Sequence, residues 1–282
     1  MYNNKLPKIN YIGNKEKLAS WICDNFPKNC SSVFDAFSGG SSIGYEAKKR
    51  GLRVIVNDIM TINYLIGNAL IENPFEKITQ QDIEIICSGK PKKGFMFDNF
   101  SNRYFYENEC MELDLYRQNI INNFTNYKKS MAFILIRRAM IRKMPYSRFN
   151  IVWEKVKQLR DEDYSYRMYK RKRAYHNDTI KNHIIDNVKN YNDAIFDNKQ
   201  KNQSFNQDVY SLTSKIEADI IYIDPPYCGT MNNYYGFYNL LDEYIISKRK
   251  APFTNNFIDK KTILDQFSHL FSKLENFKYW II

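Results

Sequence analysis

Val33-Phe34-Asp35-Ala36-Phe37-Ser38-Gly39-Gly40-Ser41-Ser42-Ile43-Gly44 is the stretch that decides the fold. It opens with a short apolar run, which reads as a buried strand when turn residues bound it. Small residues follow, and Gly44-Tyr45-Glu46-Ala47-Lys48-Lys49-Arg50-Gly51 then reads as a helix stopped by glycine. Arg53-Val54-Ile55-Val56 is a second buried strand, closing at Asn57-Asp58. Strand, small-residue turn, helix and strand make a βαβ unit, so a mostly parallel sheet is expected. The turn lets a ligand approach the backbone, and Asp58 is placed to accept hydrogen bonds from a ribose diol. NAD and S-adenosylmethionine both carry such a ribose. Ser41 breaks the GxGxxG spacing, which tells against a dinucleotide pyrophosphate.

The same texture returns late in the chain. Asp219-Ile220-Ile221-Tyr222-Ile223 is an apolar, β-branched strand running into Asp224-Pro225-Pro226-Tyr227. Thr262 to Leu274 reads as an amphipathic helix, and Tyr279-Trp280-Ile281-Ile282 begins another strand. Near the start, Leu18, Trp21 and Ile22 share one helix face at i, i+3, i+4 spacing. Between these regions the chain is rich in Asn, Lys and Tyr. Met131 to Arg138 reads there as a buried helix with a basic end, and Asn198 to Asn206 as a polar linker. The expected organisation is an α/β core, discontinuous over 1–74 and 200–282, carrying a mainly helical insertion at 75–199. A length of 282 residues accommodates both.

Composition narrows the function classes. Hydrophobic residues are 44% and charged residues 26%, so the chain is not wholly disordered. No run reaches the roughly 18 apolar residues of a membrane helix, and the first residues hold no apolar signal core. A cytoplasmic protein with no membrane partner is expected. Cys23, Cys30, Cys87, Cys110 and Cys228 form no CxxC pair, and His176, His183 and His269 show no ligand spacing. Neither a disulfide framework nor a metal is expected. The charge is lopsided: Lys128 to Arg173 holds 15 basic and 4 acidic residues, so the whole net charge of +11 falls there. Basic residues interleaved with Tyr, Phe and Met point to a polyanion, with nucleic acid the favoured partner over a merely solvated face.

Asp224-Pro225-Pro226-Tyr227 carries the sharpest chemistry. It follows a strand, so it sits where open α/β sheets bind ligands. Two prolines remove two backbone donors and fix two φ angles, presenting carbonyls rigidly. A carboxylate beside a carbonyl suits an amino group with two N–H donors, and an adjacent aromatic ring suits the face of a planar base.

Together these segments resemble the Dam-like adenine-N6 DNA methyltransferases almost end to end, which implies a Rossmann-like methyltransferase core and S-adenosylmethionine as cofactor. Lys8-Ile9-Asn10-Tyr11-Ile12-Gly13-Asn14-Lys15 is similar to the family's N-terminal cofactor motif, which places Tyr11 and Lys15 near the methionine moiety. Asp35 to Gly44 resembles the Phe-x-Gly-x-Gly loop, with Phe37 and Gly39 matching and Ser41 standing where the second glycine belongs. The resemblance assigns Asp58 to the ribose and Asp208 to the adenine of the cofactor. Arg142-Lys143-Met144-Pro145-Tyr146-Ser147-Arg148-Phe149-Asn150 is similar to a basic, aromatic stretch before the DNA-reading region. Arg142, Lys143 and Arg148, with the run Arg171-Lys172-Arg173, are therefore the expected contacts to double-stranded DNA. Asp224, Pro225, Pro226 and Tyr227 match the catalytic tetrapeptide completely, which implies adenine-specific DNA methylation, as in restriction-modification.

Other readings compete. A protein-glutamine methyltransferase shares an Asn/Asp-Pro-Pro-Tyr strand end but leaves the basic stretch without a role. An inactive DNA-binding relic or fragment is the other alternative. Cys228 follows the tetrapeptide, yet amine methylation needs no thiol nucleophile. Asn233 to Tyr238 is either core or a base-facing lid. Family members continue past the strand at Tyr279, so a truncated chain, or one whose remaining strands come from a second polypeptide, is also expected.

Overall fold

The computed structural model describes residues 2–170, 176–226, 234–251 and 256–282. Five strands form its sheet: β1 (Ser32–Asp35), β2 (Arg53–Asn57), β3 (Gln203–Phe205), β4 (Ile220–Tyr222) and β5 (Tyr279–Ile281). They lie in the order β3-β2-β1-β4-β5, every neighbouring pair parallel. This is the Rossmann-like α/β arrangement that the βαβ unit predicts. Asp35 stands level with Val56 on one side and Tyr222 on the other. Both β1 and β4 are buried along their whole length, which is why they read as continuous apolar runs rather than alternating ones.

Residue contacts divide the chain into two compact units. The first comprises Met1–Glu76, Asp193–Tyr234 and Ala251–Ile282; the second comprises Lys77–Asn192 and Tyr235–Lys250. In the first unit, Phe34, Ile55, Ile221 and Ile223 meet Leu270, Leu274 and Phe277 in one core cluster. Asp219 ties the amino ends of β1 and β4 together: its Oδ2 accepts from the backbone N–H groups of Ser31 (2.8 Å) and Ser32 (3.1 Å) and from both hydroxyls. Trp280 of β5 stacks on Phe271 at 5.5 Å.

Two sequence expectations are corrected here. Gln203–Phe205, inside the expected linker, is a strand paired with β2. It lies at a sheet edge and is partly exposed, so it carries no apolar pattern to betray it. Around Trp21, the helix Ala19–Asp24 buries Ala19, Ile22 and Cys23 instead, leaving Trp21 66% exposed.

The second unit is helical, with the long helices Glu107–Asn123, Asn126–Lys143 and Ile180–Asp193. Asn126–Lys143 is buried without a break from Ser130 to Ile141, as a helix surrounded by others must be. Phe237 and Tyr238 are buried in this unit too, which settles those two residues as core.

Candidate active site

Four carboxylates mark the carboxyl ends of four adjacent strands. Asp35 ends β1, Asp58 follows β2, Asp208 lies just past β3, and Asp224 just past β4. The chain's first residues fold onto this edge. Lys15 Nζ donates to Asp224 Oδ2 at 2.6 Å and to the Gly13 carbonyl at 3.2 Å. The Ser42 hydroxyl donates to Asn14 Oδ1. Tyr11 packs so closely on the loop that a Cβ at Gly39 would fall 2.9 Å from its ring, and Gly39 has φ +49°. Only glycine satisfies both demands.

Asp58 shapes the loop as well as facing the strand end. Its Oδ2 accepts from the Gly39 N–H and its Oδ1 from the Met60 N–H, both at 2.9 Å. Ser41, standing where the family pattern has glycine, adopts the left-handed conformation a glycine would take (φ 57°, ψ 28°). Ser41 thus holds a backbone conformation that glycine adopts more readily. Phe37 is half-buried, edge-on to Phe257 at 5.3 Å. Asp208 is exposed and caps the helix Val209–Leu212, accepting from the Tyr210 N–H at 2.8 Å.

Asp35 is the most perturbed of the four. It is 1% exposed, and burial pushes its carboxyl up to about 8, with Asp224 and then Asp58 adding repulsion. Backbone N–H groups of Gly44 and Phe37 partly oppose this. Its Oδ1 and the hydroxyls of Ser38 and Ser41 are buried with no hydrogen-bond partner among the described residues. Buried polar atoms left without a partner are uncommon and call for an explanation.

Pro225 is buried and Pro226 half-buried, following Asp224. Tyr227, Cys228 and the run Arg171-Lys172-Arg173 lie outside the described residues.

In the second unit, Arg142 and Arg148 are half-buried. The Arg148 guanidinium lies over Phe237 at 5.6 Å and over Tyr146 at 6.0 Å. Lys143 does not serve as a surface contact: it is 2% exposed, pairs with Glu109 at 2.7 Å and donates to the Asp178 carbonyl. Arg160 pairs with the same Glu109 at 2.5 Å, and Arg137 and Arg138 are buried too. Part of the basic surplus is thus internal. Within the same stretch Tyr146 is 54% exposed and, with Ser147, left-handed (φ 58° and 59°). Two consecutive non-glycine residues in that region mark a strained turn, and residue types alone do not announce it. His183, which shows no ligand spacing in the sequence, shares a cluster with Asp178 and Asp186 in which ligand atoms lie within 4.8 Å of one another.

Comparison with known proteins decides the family. Residues 11–281 match the family model of the D12 class N6 adenine-specific DNA methyltransferases. The chain belongs to that family. It is 53% identical to the type II methyltransferase M2.HphI of Haemophilus parahaemolyticus, over all of this chain and 84% of the relative. It is 29% identical to the modification methylase StsI of Streptococcus sanguinis, over 80% of this chain and 29% of that protein. A 33% match to the type II methyltransferase M.CviAII of Paramecium bursaria Chlorella virus 1 covers 40% of this chain and 38% of the relative. The chain is accordingly an adenine-specific DNA methyltransferase, and the protein-glutamine reading is set aside. S-adenosylmethionine is the methyl donor this membership implies, and a glycine at the close approach to Tyr11 beside strand-end carboxylates fits a polar, cationic ligand. No helix among the described residues is long and apolar enough to cross a membrane.

Proposed function

We propose that the chain is the modification enzyme of a type II restriction-modification system, methylating N6 of an adenine flipped out of double-stranded DNA, with Asp224 acting on the amine. The names of its relatives, type II methyltransferases and a modification methylase, support the biological setting. The observation that carries the site reading is the convergence of Asp35, Asp58 and Asp224 on one sheet edge, closed over by Tyr11 and Lys15.

Adenine's exocyclic amine is a poor nucleophile because its lone pair is delocalised into the ring. The Asp224 carboxylate and the Pro225 carbonyl accept its two N–H groups, which favours a pyramidal nitrogen with a localised pair. Lys15, gripping Asp224 Oδ2, holds that carboxylate in place for the task. Asp58, Gly39, Phe37 and Tyr11 hold the cofactor, with Asp208 at its adenine end. When bound, S-adenosylmethionine supplies a methyl group activated on a sulfonium. The base must first leave the duplex stack, and Arg142 and Arg148 hold the backbone meanwhile.

A transfer assay offering labelled S-adenosylmethionine with DNA, RNA and protein side by side tests this. The label is expected in DNA, as N6-methyladenine after hydrolysis, and absent with Asp224→Ala. Label in protein, in RNA or on cytosine would overturn the proposal.

A further inference from the structure

We propose that Asp35 serves as a latent counter-ion for the cofactor, neutral in the free protein and ionised when the cationic cofactor binds, so that binding expels a proton. This rests on the reading of the strand ends as the S-adenosylmethionine site.

The argument starts from satisfaction. A buried carboxylate that serves structure alone has its oxygens bonded: Asp82 Oδ2 takes the Thr79 N–H and hydroxyl, and Lys128 reaches both oxygens. Asp35 is more deeply buried, yet its Oδ1 has no partner among the described residues. Leaving such a group ionised and half-satisfied is costly, whereas a neutral carboxyl tolerates it.

The surrounding charges point the same way. From the β4 side Asp224 faces Asp35, and from the β2 side Asp58 does. From the first segment comes Lys15, already paired with Asp224. Helix Ser42–Lys49 offers the Gly44 N–H, and helix Ala19–Asp24 offers Cys23, whose thiol burial pushes up to about 12 and so keeps neutral. Burial first, and then the neighbouring Asp224 and Asp58 carboxyls, push the Asp35 carboxyl up to about 8. S-adenosylmethionine carries a sulfonium and an ammonium against one carboxylate. Its net positive charge at this edge favours ionised Asp35. The O–H bond of the carboxyl breaks, its electron pair stays on oxygen, and the proton passes to solvent.

Calorimetry on the whole chain at pH 6.5, in buffers of different ionisation enthalpy, counts the protons. S-adenosylmethionine should release close to one proton. S-adenosylhomocysteine, which keeps the ammonium and lacks the sulfonium charge, should release clearly less. In Asp35→Asn the difference should vanish. In the unaltered protein, the affinity ratio of the two ligands should rise with pH from 6 to 8, approaching about tenfold per unit for a one-proton linkage. This second readout needs no variant and decides the matter if Asp35→Asn fails to fold. Binding with equal proton release for both ligands and a flat ratio would overturn this inference alone. No binding of either ligand would overturn the site reading with it.

Discussion

Lys15 and Asp224, 209 residues apart in the chain, form a 2.6 Å ion pair at the carboxyl edge of the sheet. The segment before the first helix and the strand-end Asp-Pro-Pro run are thereby joined. Asp224→Ala is expected to lower methyl transfer at least about a hundredfold while S-adenosylmethionine binding stays within a few fold. Lys15→Ala should reduce turnover with a smaller effect, and Lys15→Arg should restore much of it. Calorimetry and a transfer assay on the same preparation check all three; near-normal transfer by Asp224→Ala would refute the mechanism.

Asp58→Ala should show the opposite order. Its carboxylate pins the Gly39 and Met60 N–H groups, and a hydrogen bond to a charged group contributes about 1.5–3 kcal/mol. Cofactor affinity should drop at least about tenfold. Titration of the variant with S-adenosylmethionine measures this, and an unchanged affinity would remove Asp58 from the site.

Ser41→Gly should stabilise the first unit or leave it unchanged. The left-handed backbone at Ser41 costs about 1–2 kcal/mol, whereas glycine's added freedom in the unfolded chain costs about 0.5–1 kcal/mol. Thermal melts of Ser41→Gly beside Ser41→Ala separate the two effects, because alanine relieves no backbone strain.

Lys143 and Arg148 should part company in salt titrations. Lys143→Met breaks a buried ion pair, with an expected loss of about 3 kcal/mol of stability and an unaltered salt slope of DNA binding. Arg148→Ala should flatten the slope by about 0.9 if it meets one phosphate. The reverse pattern would place the DNA contacts elsewhere.

Asp219 sets an acid sensitivity. The Ser31 N–H, with help from Lys278 and the hydroxyls of Ser31 and Ser32, holds its carboxyl well below the usual range. A depressed folded value means a contribution present above about pH 4, where the unfolded group is already ionised, and lost as pH falls toward the folded value. Asp219→Asn should cost about 2 kcal/mol at pH 7 and progressively less below pH 4. Denaturant titrations across that range test the sign: a penalty that grows on acidification would contradict it.

Much of the core was legible in the sequence because it is written in short-range terms. Strands buried on both faces are continuous apolar runs, and Val33 to Asp35, Val54 to Val56 and Ile220 to Tyr222 are such runs bounded by turn residues. The Asp-Pro-Pro run after β4, and small residues after β1, located the site's edge for the same reason. The edge strand Gln203–Phe205 was not legible, since its pairing with β2 depends on backbone hydrogen bonds that any residue type supplies. Nor was the fate of the basic stretch: a lysine reads alike whether it meets solvent or Glu109, and only the packing of helices around Lys143 and Arg160 drew those cations inside. Sequence alone determined which chemical groups the chain possesses and on which strands they end. The tertiary structure decided which of them share a neighbourhood, because charge, burial and hydrogen-bond satisfaction depend on distance in space, and Lys15 reaches Asp224 only after the sheet has formed.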